Sequence, residues 1–368
     1  MSKNLGITRR TGLAMALWTG VALTLPMSAQ ASVSFEGETI EWIIPFSPGG
    51  GSDTWARFNA PFLQKYLPGN PTVVVVNEPG GGSTKGANLY AARAKPDGLQ
   101  LLGTSGSTQF PYLLNDPRVR YDYQDWKVVM ASPTGGVVYT TPATGVTAPE
   151  EIGKLADQKL TYASQGATSL DLVPLLAFEA MGLDARHVFG FQGRSDGRIA
   201  FERGEVNIDY QTSSAYISNV QPLVEAGQAV PLFSWGALDE DGVLVRDPTF
   251  PDLPHFGEAY ETLTGQPAEG PEFDAYFAFF AAGFPAQKLV VVPSETPDEI
   301  VAAYEAAFEA MKADPEYQSA KEAVLGTYEQ VTGPQAQTLF ERGTTIAPEL
   351  RDQVVEMLAG EYGVRLGE

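Results

Sequence analysis

Two glycine triplets carry the clearest chemical signal in this chain. Each follows an apolar run, and each opens onto hydroxyl residues and a helix-like stretch. The first is Ile43-Ile44-Pro45-Phe46-Ser47-Pro48-Gly49-Gly50-Gly51-Ser52-Asp53-Thr54, the second Val76-Asn77-Glu78-Pro79-Gly80-Gly81-Gly82-Ser83-Thr84. Strand, glycine loop and helix N-terminus together form an anion site. Glycine lets main-chain N–H groups approach a ligand closely, and the helix dipole favours negative charge there. The first loop is not a phosphate-binding P-loop, because no Gly-Lys-Ser/Thr follows, and G-x-G-x-x-G is absent. A single triplet reads equally well as a tight turn with no ligand. Two of them after consecutive strands, with further Ser/Thr-rich strand ends, favour binding.

Catalytic chemistry has little support. The chain has two histidines and no cysteine. His187 adjoins an apolar run and His255 lies in a proline-rich loop; lone histidines in such settings are structural more often than catalytic. There is no G-x-S-x-G elbow, no metal-ligand spacing and no cofactor motif, so neither metal nor cofactor is expected. Asp53 is expected to cap a helix from about Thr54, with Arg57 either pairing with it at i, i+4 or facing the site. Arg194 and Arg198 are the best fixed cations for a second anionic group, with surface exposure the alternative.

The elements that would position these residues alternate. Strands are expected at Ile40–Pro45, at Pro71–Asn77 (a buried strand of the parallel kind) and at Leu99–Thr104, with helices between them. Each strand runs into a small-residue loop, the third into Ser105-Gly106-Ser107-Thr108. In open α/β sheets ligands sit at such strand ends. The grammar repeats at Leu160–Ala163 before Ser164-Gln165-Gly166-Ala167-Thr168-Ser169, at His187–Phe191 before Gln192-Gly193, and at Val206–Tyr210 before Gln211-Thr212-Ser213. Two α/β lobes are therefore expected. Phe273–Ala282 is expected as an aromatic buried strand, and Asp239–Gly270 as a loop-rich segment.

The N-terminus reads as an export signal: Lys3, Arg9 and Arg10, an apolar Thr11–Leu25, then Ala29-Gln30-Ala31 in small-x-small form. Cleavage is expected after Ala31, by a Sec or Tat route, giving a periplasmic protein. The formal charge is −21, and −24 without the three basic residues that precede Ser32. Such a surface repels nucleic acid and anionic lipid, so a captured anion must be held by local donors.

Taken in order, the two glycine segments with Arg57, then Lys95-Pro96-Asp97-Gly98-Leu99-Gln100-Leu101-Leu102, resemble the Bug-type (TctC-like) receptors of tripartite tricarboxylate transporters. Tyr162-Ala163-Ser164-Gln165-Gly166, Leu253-Pro254-His255-Phe256-Gly257-Glu258 and Val292-Pro293-Ser294-Glu295-Thr296-Pro297 match more loosely. The resemblance implies a two-lobed periplasmic-binding-protein fold, a "Venus flytrap" whose lobes are mostly parallel sheets flanked by helices. It implies residues 1–31 as signal peptide, 32–137 plus 283–368 as one lobe and 138–282 as the other. It further implies capture of an organic carboxylate, a di- or tricarboxylate or an aromatic acid, without chemistry. Membrane transporter subunits would be the partners, and a monomer is expected. A periplasmic hydrolase or transferase with the same cradle is the rival reading. Ligand contacts implied on one lobe are Ser47, Gly49, Gly50, Ser52, Asp53, Gly81, Gly82, Ser83, Thr84 and Ser105. On the other they are Ser164, Gly166, Thr168, Ser169, Gln192, Gly193, Asp209 and Ser213. Where relatives carry a Tyr-Lys-Gly-like segment, this chain has Phe191-Gln192-Gly193 and lacks the lysine.

Overall fold

The computed structural model describes residues 33–239 and 241–366, so the proposed signal peptide and its cleavage site lie outside the described residues. A β-α-β-α-β run starts the fold. Strand β1 (Thr39–Ile44) leads through the first glycine loop into the helix Gly51–Tyr66. Strand β2 (Thr72–Asn77) leads through the second into the helix Thr84–Arg93, and β3 (Gln100–Thr104) runs into the helix Gly106–Leu113. Strands β1, β2 and β3 are parallel. Strand β4 (Trp126–Ser132) is joined to the sheet only late in the chain. A far C-terminal strand, here β12 (Lys288–Pro293), inserts antiparallel between β3 and β4 and gives the order β2-β1-β3-β12-β4. One face buries Trp42, Trp55, Phe308 and Met311; the other buries Tyr90, Tyr123, Trp126 and Leu289.

After β4 the chain crosses to new sheets. Strand β5 (Gly136–Thr140) is central in an antiparallel trio between β8 (Ile208–Thr212) and β9 (Val230–Ser234). Strands β6 (Leu160–Ser164) and β7 (Ala185–Phe189) pair in parallel, and Asn207 ties β6 to the β8 side by accepting from the Thr161 N–H at 2.7 Å. A small hairpin, β10 (Ala237–Leu238) and β11 (Leu244–Val245), lies in the loop-rich segment, followed by the helix Phe256–Thr264. His255 caps that helix, accepting from the Glu258 N–H at 3.3 Å. His187 is half-buried among Tyr162, Phe178 and Tyr362, and desolvation pushes its pKa down to about 4.

Three expectations are corrected. Phe273–Ala282 belongs to a helix, Pro271–Gly283, not a strand. Phe273, Tyr276, Phe277 and Phe280 fall at i, i+3, i+4 and i+7, and Pro271 with Glu272 and Asp274 forms a favourable first turn. Strand β2 is an edge strand, with Val74 40% exposed, rather than a buried interior one. The first helix begins at Gly51, three residues before the expected start, and Asp53 lies inside its first turn.

The chain leaves the first sheet at residues 133–135 and returns at 284–287. The final helix, Pro348–Glu361, packs Val354 and Leu358 among residues of the second half, including Leu175 and Phe178. The loop-rich segment is pinned at the first crossing. Asp247 accepts from the Tyr328 hydroxyl, and Thr249 Oγ1 meets Thr327 Oγ1 at 2.9 Å.

Candidate functional site

The three N-terminal strand ends and those of β6 and β8 face one another, and the halves touch. Ser214 Oγ donates to the Gly51 carbonyl (3.1 Å), Ser47 Oγ to Asp196 Oδ2 (3.1 Å), and the Leu170 N–H to Ser107 Oγ (3.0 Å). A Cβ built on Gly51 would fall 1.9 Å from Thr212 Oγ1, so glycine is what lets the two halves meet here. Between them lies an inner cavity of about 20 Å³, room for about one water. Ser47, Gly50, Gly51, Ser52 and Ser105 line it from one side, Gln165, Arg194 and Thr212 from the other, and Gln287 and Lys288 from the second crossing.

In the first loop, Gly50 is the N-cap, with no side-chain cap, and Gly50, Gly51 and Ser52 of this helix start line the cavity, where the helix dipole favours negative charge. Asp53 does not cap. Its Oδ2 accepts from the Gly49 N–H (2.8 Å) and its Oδ1 from Arg57 Nε and Asn77 Nδ2 (both 2.9 Å). Asn77 Nδ2 also donates to the Phe46 carbonyl at 3.0 Å. Asp53 thus splints the loop to the end of β2, and Arg57 is its ion-pair partner.

The second loop is built differently. Its three glycines all have positive φ, of 129°, 62° and 66°, and so does Ser83 at 95°. Ser83 is fully buried, its hydroxyl donating to the Ser107 carbonyl (3.0 Å) and lying within hydrogen-bond distance of Thr108 Oγ1 (2.9 Å). Thr84 Oγ1 donates to the Gly81 carbonyl at 2.8 Å. These hydroxyls shape the loop. The glycines Gly81 and Gly82 line a second, outer cavity of about 450 Å³ with Gly166, Thr168 and Gln192. Ser105 caps the helix Gly106–Leu113, accepting from the Ser107 N–H at 3.2 Å.

On the facing side, Ser164 Oγ accepts from the Gly166 N–H (3.1 Å), and Ser169 Oγ donates to the Gly166 carbonyl (2.7 Å). Thr168 Oγ1 donates to Asp116 Oδ2 at 3.0 Å and accepts from Arg118 at 2.8 Å. Gly193 backs onto Ser47, its built Cβ 3.1 Å from the serine Cβ. Asp209 stands behind Arg194 as its counter-ion, and Tyr139 and Gln211 also donate to it. Ser213 is turned to the crossing, accepting from the Gly135 N–H at 3.2 Å.

The two candidate arginines separate sharply. Arg198 pairs with Glu202. Arg194 is buried and paired with both Asp171 and Asp209, it donates to the Ala163 carbonyl, and its guanidinium lies over Tyr162 and Tyr210, 4.9 and 4.7 Å from the ring centroids. Its charge is already spent on the protein.

Sequence reasoning missed Lys288. It is 2% exposed, its Nζ donates to Ser52 Oγ at 3.1 Å, and desolvation alone pushes its pKa down to about 7. The signal available was a lone charge at the head of Leu289-Val290-Val291-Val292. Among the described residues, no group of His, Cys, Asp or Glu is arranged to hold a metal ion, and no helix is long and apolar enough to cross a membrane.

Two α/β halves thus meet across a small cavity lined at the start of the helix Gly51–Tyr66. Residues 56–337 match the model of the tripartite tricarboxylate transporter family receptor, and the chain belongs to that family. It is 29% identical over 292 residues to a UPF0065 protein of Bordetella pertussis, covering 78% of this chain and 80% of that protein. The fold matches that of the periplasmic binding protein BugD (TM-score 0.66, 22% identity, 90% of this chain and 99% of that one). It also matches MatC of Rhodopseudomonas palustris with bound malate (TM-score 0.64, 20% identity, 87% and 100%). A further R. palustris protein, solved with adipate, matches at TM-score 0.63 and 20% identity, over 87% and 97%. The family is one of periplasmic receptors that bind a small molecule for a membrane transporter; it is not a family of enzymes.

Proposed function

We propose that this chain captures an organic carboxylate in the cleft and delivers it to the membrane subunits of a tripartite tricarboxylate-type transporter. The observation that carries the reading is the inner cavity. There, the start of a helix with no side-chain cap and the amine of Lys288 line one small volume, in a chain whose net charge is strongly negative. The malate and adipate held by structural relatives support carboxylate as the ligand class. Ser47, Gly50, Ser52 and Ser105 would meet the inner end of the ligand, and Gly81, Gly82, Gly166, Thr168 and Gln192 its outer end.

The inner cavity is too small for a whole organic acid, so entry requires the halves to part. The crossings at 133–135 and 284–287 are the hinge, so the lobe boundary expected at 137/138 moves ahead of β5: residues up to 132 with 288–347 form one lobe against 136–283, and the last helix rides on the second lobe. The protein works as an exported monomer, cleaved after Ala31. Thermal-shift screening against acetate, malate, adipate, citrate and benzoate tests the reading. Stabilisation by an acid recovered intact supports it, and steady conversion of the acid to product overturns it.

A further inference from the structure

Lys288 is a buried cation with no carboxylate beside it. Its ammonium has one hydrogen-bond partner, the Ser52 hydroxyl, and desolvation is the sole cause of its depressed pKa. An ammonium removed from water without a counter-ion is costly, so the amine is easily deprotonated until an anion reaches it. The charged groups of the surrounding elements are all engaged elsewhere. On the helix Gly51–Tyr66, Asp53 holds the Gly49 N–H, Arg57 and Asn77. On the helix Arg194–Glu202, Arg194 is bound to Asp171 and to Asp209 of β8, and Asp196 accepts from Ser47. At the crossing, Asp247 and Tyr328 are bonded to each other. On β4, Lys288 faces Ser132, and Lys127 pairs with Asp298 at the far end of the strand.

Two more unsatisfied groups line the same cavity. Gln165 is 6% exposed and its Nε2 has no partner. Gln287 is 1% exposed and its Oε1 has none. The cavity therefore presents an ammonium, a hydroxyl, an amide N–H₂ and helix N-terminal N–H groups to one small volume, with one carbonyl oxygen at its edge.

We propose that Lys288 is the specificity-determining cation of the cleft, forming an ion pair with the inner carboxylate of the ligand while Ser52, Gln165 and the first helical turn donate to the same group. This rests on the carboxylate-capture reading above. It places the charged contact on the returning strand β12, whereas the glycine loops supply only neutral donors. It also gives this chain a cation at the inner end of its ligand, while the Phe191-Gln192-Gly193 loop toward the outer end carries none. Uncharged isosteres such as the corresponding primary amides would then bind more weakly, because they offer no charge for a protonated Lys288 to pair with.

The test is calorimetry on the mature wild type, Lys288→Met and Ser52→Ala, using acetate, malate, adipate, citrate and benzoate, at pH 8 in buffers of different ionisation enthalpy. The wild type should bind at least one of these acids and take up roughly one proton in doing so, since the arriving anion restores the charged amine. Lys288→Met should bind that acid at least tenfold more weakly, with no proton uptake and a melting temperature equal to or above the wild type's. Ser52→Ala should lie between. Wild-type-like affinity and proton uptake in a folded Lys288→Met would overturn this role and leave carboxylate capture standing. Failure of the wild type to bind any of the acids would instead sink carboxylate capture, and the role of Lys288 with it.

Discussion

Arg194 and Lys288 face the same cavity from opposite sides, both almost fully buried, and they are held in opposite ways. Arg194 has two carboxylates, two aromatic faces and main-chain carbonyls around it. Lys288 has one hydroxyl. A guanidinium so enclosed is a strut: it fastens the start of its helix to the ends of β6 and β8. An ammonium so exposed to its own desolvation is a receptor for a missing charge. Burial alone does not mark a functional cation; the balance of counter-charge does.

The largest effect expected on that contrast is Arg194→Leu, which strands Asp171 and Asp209 in the interior and should cost about 3–5 kcal/mol of stability. Urea unfolding measures it, and an unchanged midpoint would show that the three charges are not a structural unit. Lys288 should show itself through pH. Its folded pKa of about 7 lies below its ordinary 10.5, so between those values the unfolded chain binds more protons and stability rises with pH. The slope from this group should approach about 1.4 kcal/mol per pH unit, and Lys288→Met should lack it. Equal slopes in the two proteins would place the amine in water rather than in the cleft.

Contact between the halves is probed by Gly51→Ala. The new methyl meets Thr212 Oγ1, so closure is blocked and affinity should fall by about tenfold or more, roughly 1.4 kcal/mol, with the unliganded melting point little changed. A second change, Thr212→Ala, should restore much of it. Gly153→Ala is the control, since nothing lies within 4 Å of its built Cβ and it does not line the cavity. Identical affinities for the Gly51 and Gly153 variants would mean that ligand is held without this contact. The smallest effect belongs to Asp53→Asn, which weakens the splint to half-exposed Arg57 and should cost about 1 kcal/mol in thermal unfolding.

Local pattern made the first three strands, both glycine loops and the repeat of strand and hydroxyl loop readable, because each is a contiguous signal: an apolar run, a break, a helix start. The aromatic run from Phe273 misled because residue type suggested a strand while spacing suggested a helix, and the spacing prevailed. The Val73–Val76 run shows the converse limit. An all-apolar strand was legible, but its place at the sheet edge depends on which strands pair beside it. Arg194 was legible as a cation near the cleft, and its two carboxylates, 23 and 15 residues away, were not.

The amino-acid sequence by itself determined the family, the α/β grammar and the two glycine cradles, since those depend on neighbours along the chain. Only the tertiary structure decided the site's charge. Lys288 is 236 residues from Ser52 and meets it because β12 returns antiparallel between β3 and β4. That insertion follows from the packing of the whole first sheet, and with it comes the desolvation that lowers the pKa of Lys288.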